Sequence, residues 1–148
     1  MSDTCNEIIK MIKEFDKWNE KKKTLDSLDR LPFFNERQIW FCHLGVNVGF
    51  EQDGSGADFL RPILIVKQFN KEVFWGIPLT RSKKDSGSKS GRYYFSFIGL
   101  DGKESVVILS QIRLIDAKRL AYKIGDLYLR LATESGRSRL SHYGSKSG

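Results

Sequence analysis

A basic segment followed by aromatic residues is the first feature of the sequence that could bind a ligand. Residues 81–92, RSKKDSGSKSGR, carry five basic side chains, among them Lys83 and Lys84, and one acid among serines and glycines. Aromatic residues follow at positions 93–95 and 97. Because lysine and arginine neutralise phosphate while aromatic faces stack on bases, this combination suits a single-stranded nucleic acid. The alternative is a solvated loop followed by a strand whose aromatic side chains fill a core.

Arginine and hydroxyl residues at the ends of apolar segments form a second group of candidates. Arg61 begins one such segment, Thr80 ends another, and Arg113 follows a third. Loops beside strand ends are where a rigid scaffold presents functional groups. For Arg113, an ion pair with Asp116 that fixes a turn is the alternative role.

Several catalytic classes are excluded by what the sequence lacks. It contains two histidines, His43 in a predicted strand and His142 near the C-terminal end, and no HExxH, GxGxxG, GxxxxGK[ST] or GxSxG motif. The two cysteines, Cys5 and Cys42, form no CxxC or Cys/His spacing. We therefore expect no metal site and no cofactor, and we expect His43 to form local hydrogen bonds.

Length and charge indicate a single globular domain. The chain has 148 residues, 40% of them hydrophobic, and a formal net charge of +7. No apolar run approaches the roughly 18 residues of a membrane span. The N-terminal sequence mixes acids and bases through its apolar positions, unlike a secretory signal. We therefore predict a cytoplasmic protein that has no membrane partner.

The N-terminal segment has the spacing of an amphipathic helix. Five apolar residues recur at three- and four-residue intervals: Ile8, Met11, Ile12, Phe15 and Trp18. A Thr4-x-x-Glu7 pair is typical of a capping box. We predict a helix that begins near Cys5, ends before Pro32 and packs on the rest of the domain or on a second copy of the chain. Leu25 and Leu28 extend its apolar stripe.

From residue 38 onward the apolar pattern predicts short strands. Residues 99–102, GLDG, tolerate the backbone of a tight hairpin turn, and no crossover helices separate the strands, so a small barrel is favoured over a parallel sheet. A final helix is expected from about Asp126. The predicted strands are 38–44, 60–69, 73–80, 92–98, a second hairpin arm at 104–115 and a brief strand at 122–125, with a turn or 3₁₀ segment at 116–120.

Four short motifs occur in an order that is familiar from one protein family. They are Gly-Phe-Glu-Gln at 49–52, Leu-Arg-Pro with an apolar run at 60–66, Ile-Pro-Leu-Thr at 77–80, and Ser-Val-Val-Ile-Leu-Ser-Gln-Ile-Arg-Leu-Ile-Asp at 105–116. Through them the sequence resembles the MazF/PemK toxins over roughly residues 38–125, and the fourth motif is the most specific. The predicted division is an N-terminal helical extension at 1–37, a barrel domain at 38–135 and a flexible basic tail at 136–148.

The resemblance implies a mainly β fold, an SH3-like small barrel of the MazF, PemK and CcdB type. It implies a homodimeric type II toxin, blocked by a cognate antitoxin, that cleaves single-stranded RNA without a metal by attack of the 2′-hydroxyl group. In this sequence the catalytic residues would be Arg61, which stabilises charge at the phosphate, and Thr80, which stabilises the phosphorane. The implied substrate-binding residues are Glu51, Gln52, Gln111 and Arg113, and the basic segment adds Lys83 and Lys84.

Two departures from the family leave other functions open. Some members have a histidine at the position of Phe50 and an aspartate at the position of Ser110. A catalytically inactive RNA-binding barrel is therefore one alternative. A toxin of the same fold that acts on a protein such as DNA gyrase is another, because a fold does not fix its target. Trp40 and Trp75 are expected in the core or an interface.

Overall fold

The computed structural model describes residues 12–81, 92–99 and 102–127, and this part of the chain is mainly β. In the described residues, two one-turn 3₁₀ helices, Leu109–Gln111 and Ala117–Arg119, separate the last three strands from one another. The predicted fold class, mainly β with a helix on the N-terminal side, is confirmed. The elements are α1 (Phe15–Asp26), β1 (Gln38–His43), β2 (Leu60–Gln68), β3 (Val73–Thr80), β4 (Tyr94–Ile98), β5 (Glu104–Ile108), β6 (Arg113–Asp116) and β7 (Leu120–Asp126).

The strands form one antiparallel sheet in the order β4-β5-β3-β2-β1-β7, with β6 also paired to β3. The first half of β3 pairs with β6, from Val73 opposite Asp116 to Gly76 opposite Arg113, while Leu79 and Thr80 at its end pair with β5. After β3 the chain therefore returns antiparallel to it in two segments: β5 lies beside the end of β3, and β6 lies beside its first half. Sharing β3 in this way curls the sheet, as expected for a small barrel.

The predicted strands are confirmed, with ends that differ by one or two residues and with one interruption. Phe97 lies opposite Ser105 in the predicted hairpin. The predicted second arm at 104–115 is interrupted at Leu109–Gln111, because its two halves pair with opposite ends of β3. The last strand is longer than predicted and includes Asp126, which pairs with Gln38 in the ladder between β1 and β7. The final helix predicted from about Asp126 lies almost entirely outside the described residues. Residues 128–148 lie outside the described part of the chain.

The barrel interior holds two clusters of buried side chains. A smaller cluster between β1, β3 and the β4–β5 hairpin contains Ile39, Ile77, Leu79, Phe97 and Val107. Trp40 is buried in the larger cluster, as expected, whereas Trp75 is half-exposed and packs edge-on against Phe69. The larger cluster consists of Phe34, Trp40, Cys42, Leu44, Ile63, Ile65, Phe74, Ile115, Ala117 and Leu120.

The N-terminal helix is shorter than the sequence predicts. It begins at Phe15, and the residues just before it are not helical. Ile12 and Phe15 are exposed, so the predicted stripe is wrong at these two positions. Trp18 and Leu25 are the buried residues of α1; seven residues apart, they lie two turns apart on one face. Leu28 lies beyond the helix end and is exposed, and residues 1–11 lie outside the described part.

The helix α1 packs on the barrel, as predicted. Trp18, Leu25 and Phe59 form a buried cluster, with the rings of Trp18 and Phe59 5.4 Å apart. The guanidinium of Arg119, at the end of the second 3₁₀ helix, lies 5.4 Å from the Trp18 ring, a cation–π distance. Lys118 Nζ also donates to the carbonyl oxygen of Asp26 at 2.8 Å. The extension is thus attached to both the loop before β2 and the segment before β7.

Candidate functional site

Arg61 and Thr80 lie at the same edge of the sheet. In the ladder between β2 and β3, Ile63 lies opposite Pro78. Because the two strands are antiparallel, stepping two residues back along β2 and two forward along β3 reaches Arg61 and Thr80. Both line one cavity of about 610 Å³. The structure therefore brings the two predicted catalytic residues together.

Two backbone carbonyl groups hold the Arg61 side chain in place. Its Nε atom donates to the carbonyl oxygen of Asp53 at 2.5 Å, and its Nη1 atom donates to the carbonyl oxygen of Leu79 at 3.1 Å. A guanidinium has five N–H donors, so among the described residues these two bonds leave three for a ligand. The side chain is half-buried, and burial lowers the pKa of Arg61, an effect that the negative charge of Asp53 opposes.

The cavity combines basic and hydroxyl groups with apolar walls. Ser55 lies on the loop before β2, Arg81 directly follows Thr80, and Ser105 lies on β5. The sequence analysis included Arg81 only as the first residue of the basic segment 81–92, and it did not select Ser55 or Ser105. The apolar lining comes from Ile39, Phe41, Leu60, Pro62, Leu79, Phe97 and Ile124. Such a cavity can accept a ligand with an anionic group and a flat apolar part.

Four of the predicted substrate-binding residues line a different pocket. Glu51, Gln52, Gln111 and Arg113 surround a space of about 720 Å³ that also touches Phe50. The predicted site is therefore divided between two pockets. They are connected through the loop of residues 45–54, which carries Glu51 and Gln52 along one side and supplies the Asp53 carbonyl group to Arg61.

Within the second pocket, two side chains are bonded to the 45–54 loop itself. Gln111 Oε1 accepts from the backbone N–H of Gln52 at 3.1 Å, and Gln111 Nε2 donates to the carbonyl oxygen of Phe50 at 3.0 Å. Glu51 Oε1 accepts from the backbone N–H of Val48 at 2.9 Å. Gln111 and Glu51 therefore stabilise the loop conformation.

Arg113 does not form the alternative ion pair with Asp116. Successive side chains of a strand point to opposite faces, so Arg113 shares a face with the buried Ile115, and Asp116 points to the other face. Asp116 instead accepts from the backbone N–H of Lys118. The pKa of Arg119 is lowered by burial first and by the positive charge of Arg113 second, whereas Cys42 and Asp116 oppose this shift.

The basic segment and the remaining candidates are described only in part. Lys83 and Lys84 lie outside the described residues, so their relation to the cavity stays a prediction. His43 Nδ1 lies 2.7 Å from the carbonyl oxygen of Asp58, which confirms a hydrogen bond to nearby backbone. Cys42 is a free thiol buried in the larger core cluster, and burial raises its pKa to about 12.

The described residues contain neither a cluster of metal ligands nor a membrane-spanning helix. Within 12–81, 92–99 and 102–127, no group of three or more histidine, cysteine, aspartate or glutamate side chains could hold a metal ion. Over the same ranges, no helix is both long enough and apolar enough to cross a membrane.

Comparison with known proteins identifies the family. No curated protein matches the chain significantly. The family model described as the PemK-like, MazF-like toxin of type II toxin–antitoxin systems matches residues 35–134, which is more than half of the chain. That range contains all strands of the described barrel, both pockets and the four motifs noted in the sequence. The chain belongs to the PemK-like, MazF-like toxins of type II toxin–antitoxin systems.

Proposed function

We propose that this toxin is an endoribonuclease that cleaves single-stranded RNA, chiefly mRNA, at short sequences and without a metal ion. The observation that carries the proposal is the position of Arg61 and Thr80 in one cavity. Arg61 is held there by two carbonyl groups and has three further N–H donors for a phosphate.

The reaction would use the neighbouring 2′-hydroxyl group of the RNA as nucleophile. Its oxygen forms a bond to phosphorus, the bond from phosphorus to the 5′-oxygen breaks, and the proton lost from the 2′-oxygen is balanced by one gained at the 5′-oxygen. The products are a 2′,3′-cyclic phosphate and a 5′-hydroxyl end. Negative charge grows on the nonbridging oxygens in the transition state, so fixed donors at those oxygens accelerate the reaction.

In this scheme Arg61 stabilises the negative charge on the nonbridging oxygens of the phosphate. Thr80 helps to stabilise the phosphorane. An arginine is effectively always protonated in proteins, which makes a role as cation simpler than a role as general base. The two carbonyl groups that accept from Nε and Nη1 orient the guanidinium before substrate binds. A preoriented donor needs no rearrangement at the moment of reaction.

The remaining surroundings suit an RNA chain on either side of the scissile phosphate. Phe41 and Phe97 belong to the aromatic lining of the cavity, which Arg81 also lines. We propose that the second pocket, with Gln52 and Arg113, contacts a neighbouring nucleotide, and that Lys83 and Lys84 contact the backbone electrostatically.

Membership in a type II toxin family implies an antitoxin partner. We propose that the toxin acts as a homodimer in the cytoplasm and that its cognate antitoxin suppresses RNA cleavage. The division of the chain into an extension at 1–37, a barrel domain at 38–135 and a tail at 136–148 belongs to the same proposal.

Cleavage of a long unstructured RNA in excess EDTA tests the function. The wild type is compared with Arg61→Ala and Thr80→Ala, and the cut ends are mapped by primer extension. Arg30→Ala and Thr24→Ala are matched controls, because both residues are exposed and neither lines the cavity. We expect cuts at a short recurrent sequence, lost in the two cavity variants and kept in both controls.

The same experiment separates the alternatives. Absence of cleavage by folded wild-type protein would contradict the proposal. Salt-sensitive RNA binding without cleavage would then select a catalytically inactive RNA-binding barrel. Inhibition of purified DNA gyrase without any preference for RNA would select a toxin directed at a protein.

A further inference from the structure

Lys13, just before α1, binds three oxygen atoms of the 45–54 loop. Its Nζ atom donates to the carbonyl oxygen of Asn47 at 2.6 Å and to that of Gly49 at 2.9 Å, and it lies 3.1 Å from Asp53 Oδ2. An ammonium group has three N–H donors, so these contacts use all of them. About a quarter of the Lys13 side chain is exposed, which reduces the competition of water for the same donors.

Asp53 connects Lys13 to Arg61 through two different groups. Its carboxylate faces Lys13 and also accepts from the backbone N–H of Asn47 at 2.6 Å. Its carbonyl oxygen accepts from Arg61 Nε. A rotation of the Asp53 backbone would therefore move the acceptor that orients the guanidinium. Lys13 and the Asn47 N–H restrict that rotation because both bind the Asp53 carboxylate.

The loop is closed at its base by the same extension. The backbone N–H of Gly54 donates to the carbonyl oxygen of Gly45 at 2.7 Å, so the two ends of the loop are joined. Gly45 lies against Trp18 of α1. A Cβ atom on Gly54 would stand 1.9 Å from the carbonyl oxygen of Phe59, so the chain passes too closely there for a side chain. The helical extension thus contacts the loop at its base through Trp18 and along its length through Lys13.

We propose that Lys13 is a positioning residue for RNA cleavage: it fixes the 45–54 loop and, through Asp53, the orientation of Arg61. This inference rests on the proposed function, because Arg61 matters only if the cavity cleaves RNA. It makes the N-terminal extension part of the catalytic apparatus rather than only a packing element. Misplacement of a catalytic group by about 1 Å can cost about a hundredfold in rate, and Lys13 is one of several restraints on the loop, so we expect a smaller loss.

The test compares four variants in single-turnover and steady-state cleavage of a defined RNA. Lys13→Met removes all three donors, and Lys13→Arg keeps a positive charge and several N–H donors. Asp53→Asn keeps an acceptor for the Asn47 N–H and removes the charge that attracts Lys13. Lys17→Met is the matched control, because Lys17 lies in the same extension, pairs only with Glu14 among the described residues and is 74% exposed.

The expected result is a fall in kcat of about tenfold for Lys13→Met, with the KM for RNA within about twofold of wild type. Asp53→Asn should behave similarly, Lys13→Arg should restore most of kcat, and Lys17→Met should match wild type. Because loss of folded protein alone would lower the apparent kcat at an unchanged KM, kcat is calculated from the folded fraction of each variant, measured by circular dichroism. Equal kcat for Lys13→Met and Lys17→Met would overturn the inference.

Amide hydrogen exchange provides a readout that does not depend on cleavage. The backbone N–H groups of Asn47 and Gly54 should exchange faster in Lys13→Met than in Lys17→Met, because they lie in the loop that Lys13 holds. Unchanged exchange overturns the inference even if the wild type cleaves RNA. If the wild type cleaves no RNA, the proposed function fails, and with it the catalytic part of the inference; faster exchange would then support only the structural restraint.

Discussion

The backbone of Gly45 lies so close to the indole ring of Trp18 that a Cβ atom at position 45 would stand 2.0 Å from Trp18 Cε2. Gly45 also has φ +83°, a conformation that L-residues with a side chain rarely adopt. Position 45 therefore requires glycine for two separate reasons, the contact with Trp18 and the positive φ. The absence of a side chain at Gly45 is what lets α1 lie against the barrel.

Substitution of Gly45 should loosen the extension. Gly49→Ala is the matched control, because Gly49 has φ +56° but a Cβ atom there meets nothing within 4 Å. We expect Gly49→Ala to lower the free energy of unfolding by about 1 kcal/mol through backbone strain alone. Gly45→Ala should lower it by about 3 kcal/mol or more, since Trp18 must also leave its buried position. Urea denaturation measures both values, and equal losses would contradict the role of the Gly45–Trp18 contact.

Arg61→Lys should separate charge from geometry in the cavity. Lysine keeps the positive charge but loses the planar fork and the two bonds to the carbonyl groups of Asp53 and Leu79. We expect kcat for RNA cleavage to fall by about 10²-fold, and by about 10³-fold for Arg61→Ala. Stopped-flow cleavage of a fluorophore–quencher RNA measures these rates. Wild-type kcat in Arg61→Lys would show that a point charge is sufficient.

The hydroxyl group of Thr80 can be tested without changing the shape of β3. Thr80→Val keeps the branched side chain that suits a strand and removes the hydroxyl group, whereas Thr80→Ser keeps the hydroxyl group. We expect kcat to fall by about tenfold or more in Thr80→Val and by less than about threefold in Thr80→Ser. Thermal unfolding serves as the check on folding. A larger loss in Thr80→Ser than in Thr80→Val would assign Thr80 a packing role.

The buried thiol of Cys42 should make the protein less stable at high pH. Burial raises its pKa from about 9 to about 12, while the positive charges of Arg119 and Arg113 oppose this rise. Between these values the unfolded chain releases a proton that the folded chain keeps. The contribution of Cys42 to stability is therefore fully present below about pH 9 and decreases by up to about 1.4 kcal/mol per pH unit toward pH 12.

Comparison with Cys42→Ala isolates this effect from the lysines and tyrosines that titrate in the same range. The wild type should lose more unfolding free energy than Cys42→Ala between pH 8 and pH 10, as measured by urea denaturation at each pH. The absolute stability of Cys42→Ala is expected to be lower at pH 7, because the substitution leaves space in the core. Parallel pH curves for the two proteins would contradict the assignment.

The strands and the pair Arg61 and Thr80 could be predicted from the sequence because they depend on local pattern. Alternation of apolar residues determines which residues of β1, β2 and β3 face the core. The motifs at 60–66 and 77–80 then place Arg61 and Thr80 at the ends of adjacent strands, where antiparallel pairing brings them together. Family membership also follows from the order of motifs along the chain.

The start of α1, the division of the candidate site into two pockets and the contacts of Lys13 could not be predicted in this way. The apolar spacing favours a helix through Ile12, but only the folded barrel offers Lys13 three oxygen atoms more than 30 residues away in the chain. Likewise, the resemblance implied a substrate-binding role for Gln111, whereas its two bonds to the 45–54 loop depend on the curl of the sheet around β3.

The amino-acid sequence by itself therefore determined the strand pattern, the family and the two residues proposed to be catalytic. Local periodicity and short motifs carry that information, since they act between neighbours in the chain. The tertiary structure decided how Arg61 is held and which part of the extension supports it. These features arise from hydrogen bonds and close contacts between residues that are far apart in sequence, as between Trp18 and Gly45, and spacing along the chain does not encode such contacts.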